Sequence, residues 1–173
     1  MATIDKFYPI LREKEGGFVH DPDDVGGATN MGITLTTYTA YCRHKGYPCP
    51  TVERLKNLTS DQWEDIIRLM YWDACRADDI QSQSVAMLMV DWAVHSGTST
   101  AIKHVQRILD VKADGIVGPV TLASINSYSP LPLFGQIKQA RIKFLGSLAV
   151  NRPQNRKFIN GWLRRVNSIN YEE

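Results

Sequence analysis

Residues 85–94 form the most apolar stretch of the chain and constrain its fold more than any other segment. Valine, alanine, methionine, leucine and tryptophan fill every position of this run except Asp91. A helix that is apolar on nearly every side must be surrounded by other elements, so the run predicts a buried central helix that ends at Gly97. A buried Asp91 needs a partner. It is either a structural anchor, which we favour, or a carboxylate facing a cleft, and His95 lies one turn further on the same face.

The remainder of the chain carries the pattern of several further helices. Ile4, Phe7, Ile10 and Leu11 recur at three-to-four-residue spacing and predict a first helix. Thr59 and Gln62 have the spacing of a capping box and predict the start of another. The other helices are expected at residues 34–45, from residues 98 and 119 onward, and at residues 131–150 and 155–169. With 173 residues, of which 43% are hydrophobic, the chain is long enough to bury a core unaided.

The organisation expected from these elements is a single body with two lobes. No repeat or low-complexity linker divides the sequence, so residues 1–97 and residues 98–173 are predicted to pack against each other. In the last helix, Phe158, Trp162 and Val166 are expected to form a buried stripe. The predicted fold class is mainly α, with a small β-hairpin after the first helix and a cleft between two helical lobes.

Glu15 and the loop that follows it are the strongest candidate for a functional site. Gly16 and Gly17 are predicted to end the first helix in left-handed conformations, which places Glu15 in its last turn. A carboxylate there has no favourable interaction with the helix dipole, so helix stability does not account for it. The acidic run 21–24 then indicates tight turns, and residues 28–35 indicate a short strand.

Two carboxyl groups flanking a gap are what acid-catalysed glycoside hydrolysis requires. One protonates the leaving oxygen, and the other activates water or stabilises an oxocarbenium-like transition state. Glu15 is the candidate proton donor, Asp24 is the candidate second carboxylate, and Thr29 is a candidate hydroxyl for holding the water. The structural alternative for Glu15 is a solvated side chain at a fraying helix end.

Calcium binding is the competing chemistry for the acidic turn. Asp21, Asp23 and Asp24 superficially suggest a calcium loop, but Gly32 occupies the position where a bidentate glutamate would be needed. Capping of turns is the preferred interpretation of Asp21 and Asp23. We predict no metal site and no cofactor.

The three cysteines also give no sign of a metal site. Cys42, Cys49 and Cys75 lack the paired spacing of zinc ligands. Cys42 and Cys49 could close a small loop in an oxidising compartment, but free thiols are the expected state.

Four segments of the sequence resemble the glycosyl hydrolase family 108 N-acetylmuramidases, lysozyme-like enzymes found as phage endolysins and secretion-associated muramidases. They are EGGFVHDPDDVGGATNMGIT at 15–34, YWD at 71–73, DWAVHSG at 91–97 and QRILDVKADGIVGPVTL at 106–122. The resemblance implies a lysozyme-like fold and hydrolysis of the β-1,4 bond between N-acetylmuramic acid and N-acetylglucosamine in peptidoglycan. It also implies that the glutamate before the double glycine is catalytic.

The resemblance extends to individual site residues. Asp24 and Thr29 match the aspartate and threonine that follow the catalytic glutamate in phage-type lysozymes. The side chains expected to bind substrate are Asp21, Tyr71, Trp72 and His95. For the two aromatic residues, stacking on a sugar ring is the functional interpretation and core packing is the structural one.

The C-terminal lobe is expected to contact the cell wall. The helix expected from residue 98, the Asp114-Gly115 loop and the helix that begins at Gly118-Pro119 together resemble small peptidoglycan-binding modules. Residues 1–114 carry 12 basic and 16 acidic side chains, whereas residues 115–173 carry 8 basic and 2 acidic ones. This basic excess is either a set of solvated helix faces or a surface for an anionic polymer. A non-catalytic peptidoglycan-binding or secretion-accessory module is therefore the alternative function, and nucleic-acid binding is not expected.

The expected place of action is the cell wall. The N-terminus lacks the basic and apolar regions of a signal peptide, and no run of 18 apolar residues occurs. We expect synthesis in the cytoplasm, action in the periplasm, and transfer through a holin or secretion machinery. A monomer is expected.

Overall fold

The computed structural model describes residues 1–20 and 27–172, and this part of the chain is mainly helical. Its α-helices, labelled α1 to α9 in chain order, are Phe7–Lys14, Leu35–Lys45, Val52–Lys56, Ser60–Ile67, Gln83–Ser96, Thr98–Ile108, Pro119–Ser127, Pro130–Asn151 and Ile159–Asn167. Short 3-10 helices span Ile4–Lys6, Ala77–Asp79 and Pro153–Lys157, and a π-helical turn, Arg68–Trp72, follows α4. The mainly α fold is thereby confirmed.

A small antiparallel sheet follows the first helix, as predicted. Its strands are β1 (Val19–His20), β2 (Ala28–Asn30) and β3 (Ile33–Thr34), in the order β1-β2-β3. The strand predicted over residues 28–35 is therefore divided in two. Met31 and Gly32 have φ angles of 49° and 76° and form the two-residue turn between β2 and β3. Paired positive φ angles suit the twist of a tight hairpin.

Helix α5 is the buried central helix that the apolar run predicts. Ser82 caps its start by accepting a hydrogen bond from the Val85 amide, and Gly97, with φ of 92°, ends it. Nearly every side chain of α5 from Ser84 to Val94 is buried. Helices α6 and α8 pack against it, so residues from both ends of the chain share one core.

Local sequence signals account for several helix boundaries. Thr59 and Gln62 form the predicted capping box at the start of α4. Pro119 occupies the first turn of α7, where its missing amide hydrogen is no loss. The three cysteines are free, with Cys42 and Cys75 buried and Cys49 exposed. Among the described helices, none has the length and apolarity needed to cross a membrane.

Candidate active site

A cavity of about 670 Å³ lies between residues 15–98 and the last two helices. Glu15, Thr29, Tyr71 and His95 line it from the N-terminal side. Residues of α8, of α9 and of the segment between them line it from the C-terminal side, among them Phe144, Arg152, Phe158, Trp162 and Arg165. Among the described residues that line the cavity, Glu15 is the only carboxylate.

The end of α1 holds Glu15 in place, although not in the way the sequence suggests. Glu15 is the C-terminal cap, with an extended backbone, and its amide donates to the carbonyl oxygens of Leu11 and Arg12 at 3.1 and 3.3 Å. The prediction that Glu15 lies in the last helical turn is wrong by one position. Gly16 and Gly17 do not adopt left-handed conformations, because the change to extended backbone at Glu15 already ends the helix.

Gly32 in the β2–β3 turn lies against the carboxyl group of Glu15. A Cβ atom at Gly32 would overlap Glu15 Oε2 and lie 2.5 Å from Cδ, closer than non-bonded atoms can approach. The positive φ of 76° also favours glycine there. Only a glycine lets the hairpin cover one side of Glu15, a contact that the sequence patterns did not predict.

An arginine from α9 also contacts the carboxyl group of Glu15. Arg165 Nη2 donates to Glu15 Oε1 at 2.8 Å. The same guanidinium donates to both carboxylate oxygens of Asp91, from Nη2 at 3.0 Å and from Nε at 3.2 Å. Arg141 Nη1 donates to Asp91 Oδ2 at 2.8 Å. Four charged side chains, from the end of α1 and from α5, α8 and α9, thus form one connected network.

The protonation of these groups follows from burial and from their neighbours. The Glu15 side chain is 7% exposed, and burial raises the pKa of Glu15 above its ordinary value. Arg165 opposes that shift, but it is shared with Asp91. Burial would also raise the pKa of Asp91, yet the guanidinium groups of Arg165 and Arg141 hold it well below its usual range. The two carboxyl groups of the network therefore differ: Asp91 is held in its ionised form, whereas Glu15 takes up a proton more readily than an exposed glutamate does.

Asp91 is a structural anchor, the favoured of its two interpretations. Its side chain is 2% exposed and does not line the cavity. Its partners are Arg141 and Arg165; the pairing with His95 considered from the sequence is not present.

His95 lines the cavity, but its chemistry is restricted. Its Nδ1 lies 3.2 Å from Arg141 Nη2 and accepts from it in the neutral ring. Burial and the charges of Arg165 and Arg141 lower the pKa of His95 to about 3. Neutral His95 can position other groups by hydrogen bonding and packing, and it is not a proton donor near neutral pH.

Hydroxyl groups line the cavity near Glu15. Thr29 Oγ1 donates to the Gly27 carbonyl oxygen at 3.3 Å and lies on β2, beside the hairpin turn that covers Glu15. Tyr71 places its hydroxyl 3.2 Å from Thr37 Oγ1, and both residues line the cavity. These positions suit polar contacts with a sugar or a water molecule.

Trp72 does not have the position that was predicted for it. The π-helical turn directs Tyr71 to the cavity and Trp72 into the core, where Trp72 is fully buried. Its Nε1 donates to Asp78 Oδ1 at 2.7 Å. A side chain without exposed surface cannot stack on a sugar, so Trp72 is a core residue and not a substrate-binding one. The predicted site residues Asp21 and Asp24 lie outside the described part of the chain.

The C-terminal side of the cavity was missed from the sequence. Phe158 and Trp162 were predicted to belong to a buried stripe, but both are only half-buried and line the cavity. Val166 is buried, as expected. One signal in the sequence could have indicated this side. Arg141 lies on the same helical stripe as two apolar residues, Ile137 and Leu145, each four positions away and each buried. A cation on such a stripe indicates a buried anionic partner.

The chemical possibilities of the site are limited by these side chains. Groups of three or more histidine, cysteine, aspartate or glutamate residues that could hold a metal are absent from residues 1–20 and 27–172. When it carries a proton, a buried glutamate at the wall of a cleft, such as Glu15, can act as a general acid. The fold and this site together define a class of protein, the lysozyme-like glycoside hydrolases.

Comparison with known proteins shows the particular family. The chain belongs to glycosyl hydrolase family 108, because the family model described as Glycosyl hydrolase 108 matches residues 8–97. A second family model, described as Predicted Peptidoglycan domain, matches residues 100–167. Among solved structures, that of SagA from Brucella abortus is similar, with 33% sequence identity and a TM-score of 0.84 over 96% of this chain and 90% of that one. No curated protein matches. The protein is thus a glycoside hydrolase with an adjoining region of a peptidoglycan-associated family.

Proposed function

We propose that the protein is an N-acetylmuramidase, which hydrolyses the β-1,4 bond between N-acetylmuramic acid and N-acetylglucosamine in peptidoglycan. The observation that carries the proposal is the Glu15 carboxyl group, buried at the cavity wall with a raised pKa. The family matches over residues 8–97 and 100–167 support a peptidoglycan substrate.

Glu15 acts as the proton donor in this proposal. Its proton passes to the glycosidic oxygen as the bond to the anomeric carbon breaks, and the sugar leaves as an alcohol. Water then adds to the anomeric carbon, and a carboxylate of the site takes up the proton that the water loses, so that no net proton is consumed. The products are a sugar with a free reducing end and a sugar with a free hydroxyl group. Gly32 and Arg165 keep the carboxyl group of Glu15 in one orientation during this transfer.

The second catalytic group is proposed to be Asp24, with Thr29 helping to place the water molecule. Asp91 is an unsuitable second carboxylate, because two arginines occupy its oxygens and it is 2% exposed. Thr29 lines the same cavity as Glu15. We propose that the enzyme acts on the wall in the periplasm after transfer through a holin or secretion machinery.

The test is hydrolysis of purified peptidoglycan by the wild type and by Glu15→Gln. This substitution nearly preserves shape and removes the acid, so we expect a loss of rate of at least about 100-fold. Glu13→Gln is the matched control, since Glu13 is an exposed residue of the same helix, and it should retain wild-type activity. Equal rates for the wild type and Glu15→Gln contradict the assignment.

The products identify the bond. Borohydride reduction and mass spectrometry of the released fragments should show reduced muramic acid at the new ends. Reduced glucosamine at those ends would instead indicate cleavage of the other glycosidic bond.

The alternative is a peptidoglycan-binding protein without hydrolytic activity. It is favoured by the match over residues 100–167. Sedimentation with peptidoglycan and no release of reducing ends would select it over the enzyme.

A further inference from the structure

Two aromatic rings from the C-terminal segment form part of the cavity wall. Phe158 directly precedes α9 and Trp162 lies within it, and their rings stack with centroids 5.9 Å apart and an interplanar angle of 23°. Both residues line the same cavity as Glu15, and both lie outside the region that matches the glycosyl hydrolase family.

The position of Trp162 is tied to Glu15 through α9. Arg165, which donates to Glu15, follows Trp162 by three residues, so the two side chains lie on the same side of the helix. The rise of an α-helix places them about 4.5 Å apart along its axis. The aromatic pair therefore begins within one helical turn of the arginine that contacts the proton donor.

Other contacts fix the orientation of the Trp162 ring. The ring of His95 meets it edge to face, with centroids 5.8 Å apart and an interplanar angle of 71°. His95 is itself held by Arg141 at 3.2 Å, within the buried network. A ring positioned in this way can receive a ligand with little loss of side-chain entropy.

The exposure of Trp162 distinguishes it from the other tryptophans. All four tryptophans of the sequence lie in the described part of the chain, and Trp63, Trp72 and Trp92 have no exposed surface. Trp162 is half-buried and contributes to the wall of an open cavity. Phe158 and His95 cover part of the ring, and the part that lines the cavity is the surface that a ligand can contact.

We propose that Phe158 and Trp162 form a platform that binds a sugar ring of the glycan next to the bond that Glu15 protonates. The identity of the glycan rests on the proposed function. A β-linked pyranose with equatorial substituents presents a face of C–H groups, which gains free energy when it covers an aromatic surface. The region matched as a peptidoglycan domain is in this proposal one wall of the catalytic cleft, and not a separate wall anchor.

The first experiment measures iodide quenching of tryptophan fluorescence in Glu15→Gln, which binds without turnover. The probe ligand is a soluble N-acetylglucosamine oligomer, which has the β-1,4 linkage and the C–H faces of the glycan strand. Iodide should quench a single class of tryptophan, and this class should disappear in Trp162→Phe. Saturating oligomer should protect it, and quenching unchanged by the oligomer overturns the proposal.

The second experiment compares affinities for the same oligomer by calorimetry. Phe158→Ala and Trp162→Ala should each weaken binding about tenfold, the effect of removing one aromatic stacking partner. Trp162→Phe retains an aromatic ring and should bind with intermediate affinity. It provides a second test of the proposal if an alanine variant fails to fold. Tyr47→Ala is the matched control, because Tyr47 is an aromatic residue with 51% exposure outside the cavity. Wild-type affinity in both alanine variants overturns the proposal.

The platform and the muramidase assignment can fail separately. Normal hydrolysis by the wild type, together with unchanged KM in the Phe158 and Trp162 variants, would contradict the platform proposal and support the muramidase assignment. Protection of Trp162 by the oligomer without any hydrolysis would support the platform proposal and contradict the muramidase assignment. If both proposals hold, the variants should raise KM for soluble peptidoglycan more than they lower kcat.

Discussion

The carboxylate of Glu15 accepts a hydrogen bond from Arg165 Nη2 at 2.8 Å, although the two residues are 150 positions apart in sequence. This contact joins the end of the first helix to the last one. Because Arg165 also binds Asp91 of the central helix, one guanidinium connects the candidate proton donor to the core. The C-terminal helix therefore contributes directly to the candidate active site.

Arg165→Met is expected to shift the pH dependence of hydrolysis. Arg165 favours the ionised form of Glu15, so its removal should raise the pKa of Glu15 further. A general acid works below its pKa, and the alkaline limb of kcat/KM should therefore move up by about one pH unit. Loss of the ion pair should also lower the free energy of unfolding by about 3 kcal/mol.

The matched control for that shift is Arg164→Met, which removes the exposed neighbouring arginine of the same helix. It should retain the wild-type pH profile. An alkaline limb that stays in place or moves down in Arg165→Met would show that Arg165 does not control the ionisation of Glu15.

Gly32→Ala is expected to inactivate the enzyme. The added methyl group must displace the carboxyl group of Glu15, and misplacement of a catalytic group by about 1 Å costs about 100-fold in rate. Gly46→Ala is a close control, because Gly46 has a similar φ of 70° and a Cβ atom added there would meet no other atom within 4 Å. Both variants should lose about 1 to 2 kcal/mol of stability, but Gly46→Ala should keep its activity.

The stability of the protein should fall between pH 7 and pH 5 because of His95. The pKa of His95 in the folded protein is about 3, below its ordinary value of 6.5, so protons bind preferentially to the unfolded chain as the pH falls. The stabilisation is complete above pH 6.5 and is lost progressively below it. The loss from pH 7 to pH 5 amounts to about 2 kcal/mol.

Urea unfolding at the two pH values measures this loss. His95→Gln should remove about 2 kcal/mol of the difference. An equal pH dependence in His95→Gln and the wild type would contradict the assignment of the loss to His95.

Tyr71 and Trp72 should respond differently to substitution by phenylalanine. Trp72→Phe leaves a void in the core and removes the hydrogen bond to Asp78, so stability should fall by about 1 to 3 kcal/mol. Its kcat/KM should stay near the wild-type value. Tyr71→Phe removes a hydroxyl from the cavity and should raise KM with a smaller change in melting temperature. Thermal melts and steady-state kinetics on soluble peptidoglycan distinguish the two.

Much of the local structure could be predicted from the sequence. The capping box at Thr59 and Gln62, the proline that opens α7 and the burial of α5 all depend on residues a few positions apart. Helix α1 was also predicted, but its end was not, because Glu15 changes to extended backbone before the glycines are reached. That change places the carboxyl group against Gly32, a residue of another element.

The residues surrounding Glu15 could not be predicted in the same way. Spacing indicated that Trp162 and Phe158 share a side of the last helix, but it could not tell whether that side meets the core or a cavity. Tyr71 and Trp72 are adjacent aromatic residues, and only the π-helical turn decides which one reaches the cavity. These outcomes depend on how helices pack, and packing has no fixed relation to sequence separation.

The sequence by itself therefore determined that the protein is mainly helical, that α5 is its buried centre and that a glutamate stands at the end of the first helix. Those features follow from side-chain periodicity and from hydrogen bonds that close within a few residues. Only the tertiary structure placed Arg165 and Gly32 against the carboxyl group of Glu15 and gave Asp91 its two arginines. The raised pKa of Glu15 depends on this packing, because desolvation raises the pKa of a carboxyl group only when packing has removed the group from water.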